Sequence, residues 1–316
     1  MNAQPRPGWA DLPPVVRARI TENLGGRVIA WTSYDHGMMP GYAMHLQTTE
    51  GQAYVKAYHA PDPLTNYGFR SEAEVTAHLP EGAPAPQLLW LIDEEFEGSG
   101  SWTVAAYSMR LLRRPADPWE ADDIASAVRL ARRISETRAP AHEPFRDVAA
   151  YFQGDVWARV AEEHADGPPG FTPWIAERYA LLDSLAVQVG DATRGDRLVH
   201  GTLRRDTVLL DPRPGGSDGL VVDWIHGVRG APFLDQVMML PSLQIEGGPP
   251  PERVLERHPF PAGTEPDAVN AYLAAIAGYL VHQSSQPPPP GLPHHRPAQR
   301  AHAHVCVDWL RRRLGG

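Results

Sequence analysis

The stretch Leu198-Val199-His200-Gly201-Thr202-Leu203-Arg204-Arg205-Asp206-Thr207-Val208-Leu209-Leu210-Asp211 decides how the chain is read. A short apolar run ends in His200, a polar loop dense in Thr, Arg and Asp follows, and Thr207 to Leu210 reads as a second strand. Pro212 to Asp218 supplies turn formers, and Gly219 to Trp224 returns as a strand ending in Val222-Asp223-Trp224. Two strands that carry His, Thr and Asp into one loop place polar chemistry at a strand end, where functional groups are commonly held.

Working toward the N-terminus, Ile29 to Trp31 is a short apolar run, and Asp35 to Tyr42 is rich in glycine and other turn formers. Ala43 to Thr48 alternates, Glu50-Gly51 makes a hairpin-like turn, and Ala53 to Tyr58 is strand-like. Lys56, in this apolar strand, is the one lysine of the chain; arginine fills every other basic position. A site where a compact ammonium is needed and a planar guanidinium does not fit explains why a single lysine persists there. Arg70 to Leu79 has helical spacing and carries Glu72, and Pro80 to Pro86 breaks it. The order of glycine loop, strand lysine and helix glutamate suits phosphate binding: Gly37 and Gly41 admit backbone N–H groups, Lys56 holds phosphate oxygens, and Glu72 orients the lysine.

Gln87 to Ile92 and Ser101 to Tyr107 read as further strands, and Ala116 to Trp119 as a linker. Helices are expected over Asp122 to Thr137, Pro173 to Val189, Ala268 to His282 and Ala298 to Leu314. The first third is thus mostly β and the remainder mostly α. The fold class is α+β, with two lobes: residues 1–19 form an N-terminal extension, 20–108 an antiparallel-sheet lobe, 109–120 a hinge, and 121–316 a helical lobe.

Composition narrows the function. The 316 residues are 42% hydrophobic, enough for more than one core. A net charge of -9 argues against a nucleic-acid partner. One cysteine, Cys306, excludes an internal disulfide, and the N-terminus has no apolar targeting segment. No apolar run is long enough to cross a bilayer, so a cytoplasmic protein is expected. His294, His295, His302 and His304 cluster without an acidic or cysteine partner at zinc-like spacing, and metal binding is not expected there.

The stretch from His200 to Leu209 resembles, without a gap, the catalytic loop of the aminoglycoside phosphotransferase and choline kinase superfamily. Those loops read His-Gly-Asp-Leu-His-Pro-Gly-Asn-Val-Leu, followed by Ile-Asp-Trp. One branch reading His-x-Asp-x-Arg-x-Asp-Asn is closest, since His200, Arg204 and Asp206 are kept. The resemblance implies a protein-kinase-like fold of two lobes and ATP- or GTP-dependent phosphoryl transfer to a small hydroxylated molecule, cationic acceptors included. It places the nucleotide on Gly37, Gly41, Lys56 and Glu72, and magnesium on Asp223 and the Thr207 position. Thr202, His200 and Asp206 would form the catalytic loop, and Asp235 the structural aspartate that follows the metal site.

Two departures bear on activity. The catalytic aspartate of the family falls on Thr202 and its magnesium-binding asparagine on Thr207. A threonine hydroxyl is uncharged and does not take up the substrate's proton near neutral pH, and general-base help is typically worth about 10²- to 10⁴-fold in rate. Slow phosphoryl transfer is therefore expected, since positioning and charge neutralisation do most of the work in that reaction. The alternative is a pseudokinase that binds nucleotide, small molecule or a protein partner without turnover.

Overall fold

The computed structural model describes residues 6–34, 41–59, 63–152, 154–213, 219–289 and 292–315, with side chains excepted at 63–67. Gly37 and the other residues 35–40 of the expected glycine loop lie outside these residues, as do 214–218 of the turn expected at 212–218 and Pro290 of the proline run.

The N-terminal lobe is built on a five-stranded antiparallel sheet in the order β1-β2-β3-β5-β4. Its strands are β1 (Val28–Ser33), β2 (Tyr42–Thr48), β3 (Gln52–His59), β4 (Leu88–Phe96) and β5 (Gly100–Tyr107). Side chains alternate across a strand, so Ala53, Val55 and Ala57 of β3 face one side and Tyr54, Lys56 and Tyr58 the other. The first set joins Met44, Leu46, Ile92, Trp102 and Val104 in a core closed by Leu12, Val16 and Ile20. Val16 and Ile20 sit four apart on helix α1 (Pro14–Leu24), one face of which covers the sheet. The boundary expected at residue 20 falls inside this helix, and residues 9–24 pack as part of the lobe.

The opposite face of the sheet carries helix α2 (Pro63–Ala77). The helix expected over 70–79 therefore begins earlier and ends two residues sooner. Residues 109–120 form the connector, which is pinned at both ends: Arg113 exchanges two backbone hydrogen bonds with Leu210, at 2.8 and 2.7 Å. Asp123 accepts from the Arg113 guanidinium at 2.6 and 3.0 Å and from the backbone N–H of Ala116 at 2.7 Å.

The C-terminal lobe is mainly helical: α3 (Ala121–Glu136), α4 (Val156–Glu163), α5 (Tyr179–Ala186), α6 (Val189–Ala192), α7 (Leu234–Ile245), α8 (Pro251–Leu255), α9 (Pro266–Ser285) and α10 (His295–Arg313). Two small antiparallel ribbons carry the polar loops. In one, β6 (Arg197–Val199) pairs with β9 (Val228–Gly230); in the other, β7 (Val208–Leu210) pairs with β8 (Gly219–Val221). The long helix expected over 173–189 is divided into a 3-10 turn (Pro173–Arg178) and α5. Helices α4 and α7 were not anticipated, and α7 carries Pro241 inside it. No helix among the described residues is long and apolar enough to cross a membrane.

Candidate active site

The site is assembled at the junction of the lobes. On β3, Lys56 is flanked across the sheet by Ala43 on β2 and Ala105 on β5. Two small neighbours leave the lysine stem room to lie on the sheet. Its ammonium donates to both Glu72 oxygens, at 2.8 and 2.9 Å. The same ammonium is ion-paired directly to Asp223, from the far lobe. Helix α2 makes this meeting possible: it carries Glu72, and its Val75 packs onto Gly227, where an added Cβ would come within 2.6 Å of a Val75 methyl. The absence of a side chain at Gly227 lets α2 approach the turn that follows Asp223.

Asp223 itself adopts φ 66°, ψ 53°. A left-handed conformation costs a residue with a Cβ about 1–2 kcal/mol, least for Asp and Asn. Here it turns the chain sharply out of the second ribbon, and Trp224 anchors the turn by donating to the Val221 carbonyl at 2.8 Å.

Electrostatics follow from burial. Burial opposes the Lys56 charge, but Asp223 and Glu72 outweigh it, and its pKa lies well above the ordinary lysine value. For Asp223 burial is likewise outweighed by Lys56, and the carboxyl titrates below its usual range. Glu72 goes the other way, raised by burial with repulsion from Asp223 against the pull of Lys56. Asp223 is the outer member of the trio: its side chain is 31% exposed against 10% for Glu72.

The loop 200–207 is closed by its own hydrogen bonds. His200 is fully buried; its backbone N–H and that of Gly201 each donate to Asp235, at 2.8 Å. Asp235 is buried too, and desolvation lifts its carboxyl to about 6 despite these two donors. The His200 ring meets the Val222 carbonyl at 3.0 Å through Nε2 and Thr202 through Nδ1. Thr207 is fully buried; its hydroxyl accepts from the Arg204 N–H at 3.0 Å and lies 3.2 and 3.1 Å from the Thr202 and Arg204 carbonyls. Inside the loop these contacts use the hydroxyl hydrogen and one of its two lone pairs. Asp206 is held by Arg204 in a two-pronged pair at 3.0 and 3.1 Å, which occupies both carboxylate oxygens. Gly41 has φ 115°, and a Cβ there would approach the Ala57 carbonyl to 2.9 Å, so glycine is required at the residue that leads into β2.

The clustered histidines are dispersed in function. His302 bonds Ser242 at 2.9 Å and the Ala298 carbonyl at 2.9 Å, and His304 stacks on Phe171 at 4.3 Å.

This architecture matches solved structures over nearly its full length. The GDP complex of wild-type aminoglycoside 2'-phosphotransferase-IIIa superposes with a TM-score of 0.57 at 13% identity, covering 95% of this chain and 98% of that one. Choline kinase LicA from Streptococcus pneumoniae gives 0.55 at 14% identity, over 93% and 98% of the two chains. A microcompartment-associated aminopropanol kinase gives 0.57 at 14% identity, over 94% and 97%. The chain has the aminoglycoside phosphotransferase and choline kinase fold. No protein-family model matches the sequence, and no curated protein matches it.

Within this phosphotransferase fold, the pattern of residues missed two things that the structure brings to the site. Tyr54 and Tyr107 flank Lys56, with rings 6.3 Å apart and the ammonium 5.9 Å from the Tyr54 centroid. Tyr54 lies two residues before Lys56 on the same strand face, so alternation alone would have found it. Arg114, in the connector, has its pKa lowered by burial, with the charges of Asp206, Tyr54 and Asp223 acting the other way. No spacing rule marks it.

Proposed function

We propose that this protein is a small-molecule kinase that transfers phosphoryl from a magnesium nucleotide to a hydroxyl of its acceptor, slowly compared with enzymes that carry a carboxylate at the Thr202 position. The observation that carries this reading is the convergence of Lys56, Glu72 and Asp223 from three elements onto one ammonium. Lone surface ion pairs are common and weak; a buried lysine shared by two carboxylates across a lobe junction is a positioned group.

Lys56, steadied by Glu72, would hold phosphate oxygens, and Gly41 would let the backbone come close to them. Asp223 would hold magnesium. That ion is normally bound by one or two carboxylates with phosphates and water, so the single exposed carboxylate edge of Asp223 fits it. Bound there, magnesium would neutralise charge developing on the transferred group. ATP and GTP are both candidate donors. The fold neighbours, one a GDP complex of an aminoglycoside phosphotransferase and others choline and aminopropanol kinases, support a nucleotide donor and a small hydroxylated acceptor, cationic amines included.

A second reading, a pseudokinase that binds nucleotide without turnover, is favoured by the loop. Thr202 brings no carboxylate, Thr207 faces inward, and Asp206 is committed to Arg204.

An acceptor screen with radiolabelled Mg-ATP and Mg-GTP separates the two. The first reading expects labelled product phosphate and a faster rate in Thr202→Asp. Tight nucleotide binding with no transfer to any acceptor, and no gain in Thr202→Asp, leaves the pseudokinase.

A further inference from the structure

We propose that Thr202 and His200 form a two-step proton relay that stands in for the missing carboxylate base. This rests on the kinase reading above and adds what takes the proton.

The tautomer of His200 is fixed by its surroundings. Nε2 lies 3.0 Å from the Val222 carbonyl, which can only accept, so Nε2 carries the hydrogen. The lone pair of the neutral ring is then on Nδ1. Both groups facing that lone pair belong to Thr202: its backbone N–H at 3.3 Å and its hydroxyl at 3.5 Å. Among the described residues, Nδ1 is the one hydrogen-bond partner of the Thr202 hydroxyl. The ring is held edge-on to Trp224 at 4.8 Å, and the His200 backbone is held by Asp235. Thr202 is half-buried where His200 is fully buried, so the pair runs inward from the accessible side of the loop. A contact of 3.5 Å is long for a hydrogen bond, but such contacts in unliganded sites often tighten when the reacting groups are bound.

The basicity suits the role. Burial brings His200 down to about 4, against the Val222 carbonyl and Asp223, which pull it up; His226 and Arg204 push it further down. The buried ring is therefore held neutral near pH 7, with its Nδ1 lone pair aimed at Thr202.

The step balances. The acceptor oxygen bonds to the γ-phosphorus, and the bond from that phosphorus to the β–γ bridging oxygen breaks, its electron pair leaving with the nucleoside diphosphate. The acceptor proton passes to Thr202 Oγ as the hydroxyl's own proton passes to His200 Nδ1. The imidazolium that forms returns its proton through Thr202 to solvent once product has left.

Hydrolysis of Mg-ATP uses water as acceptor and needs no knowledge of the natural one. It is measured for wild type, Thr202→Ser and Thr202→Val, with ¹⁵N-histidine spectra of each. The relay expects Ser to remain within a few-fold of wild type, and Val, with the same shape and no hydroxyl, to lose roughly 10²-fold in kcat at unchanged KM. It expects a ring protonated at Nε2 whose Nδ1 resonance moves in the Val variant. Equal kcat in Val and wild type, an Nδ1-protonated ring, or Mg-ATP binding without hydrolysis overturns the relay and leaves nucleotide binding intact. Failure to bind Mg-ATP at all overturns the kinase reading itself.

Discussion

Lys56 and Asp223, 167 residues apart in sequence, share a direct ion pair across the lobe junction. Glu72 takes the remaining donors of the same ammonium, so one cation ties together a strand, a helix and the turn after the second ribbon. Removing one partner from such a buried network leaves the others uncompensated.

Lys56→Met is accordingly expected to destabilise the fold by about 3 kcal/mol, because Glu72 and Asp223 would then face one another without a cation. Urea unfolding measures this. The deficit should shrink on acidification, as Glu72, already raised by burial, takes up a proton. A variant as stable as wild type at neutral pH would mean that the network contributes nothing.

His200 and Asp235 set opposite pH dependences on stability. His200 titrates at about 4 in the fold against 6.5 unfolded, so it binds fewer protons folded, and stability falls as pH drops through that range. Asp235 titrates at about 6 in the fold against 3.8 unfolded, so it binds more protons folded, and stability falls as pH rises through that range. Each displacement corresponds to about 3 kcal/mol, and the two nearly cancel between pH 4 and 6. Asp235→Asn should lower stability overall, since its amide faces two N–H donors, and should unmask the histidine: unfolding free energy then rises by about 3 kcal/mol from pH 4 to 6.5. Curves that run parallel to wild type would contradict this.

Cys306 is a buried thiol on α10 that burial pushes up to about 12. With so little thiolate and no access, it should resist alkylation in the native state. Labelling at pH 8 should follow the unfolding transition in urea; prompt labelling without denaturant would contradict the packing of α10.

Gly227→Ala inserts a methyl against Val75 and should cost about 1–3 kcal/mol. Because α2 also carries Glu72, nucleotide affinity should fall with it. An unchanged thermal midpoint would show that α2 is free to shift.

Much of this was legible in the sequence because the deciding signals are short-range. Short apolar or strand-like runs, with clear alternation at 43–48, marked the five strands of the first sheet, and a lone lysine within one of them marked the site. Asp223 was found because Val222-Asp223-Trp224 resembles the Ile-Asp-Trp that follows the catalytic loop in the phosphotransferase superfamily. The gaps have physical reasons. Val16 and Ile20 of α1 were passed over because Arg17 and Arg19 interrupt a short segment. In α7 a proline interrupts the helical pattern, yet that helix is buried on most of its surface, and packing outweighs the hydrogen bond Pro241 removes. Thr207 was marked by alignment of motifs, but the direction of its hydroxyl depends on how the loop closes on itself. The Arg204–Asp206 pair and the Thr202–His200 contact likewise depend on side-chain rotamers that spacing does not encode.

The most direct measurement is a calorimetric titration of nucleotide, with and without magnesium, into wild type and Asp223→Asn. Saturable, magnesium-dependent heat in wild type that disappears in the variant is the predicted result. Equal heats in both proteins, or none in wild type, would contradict a nucleotide held between Lys56 and Asp223.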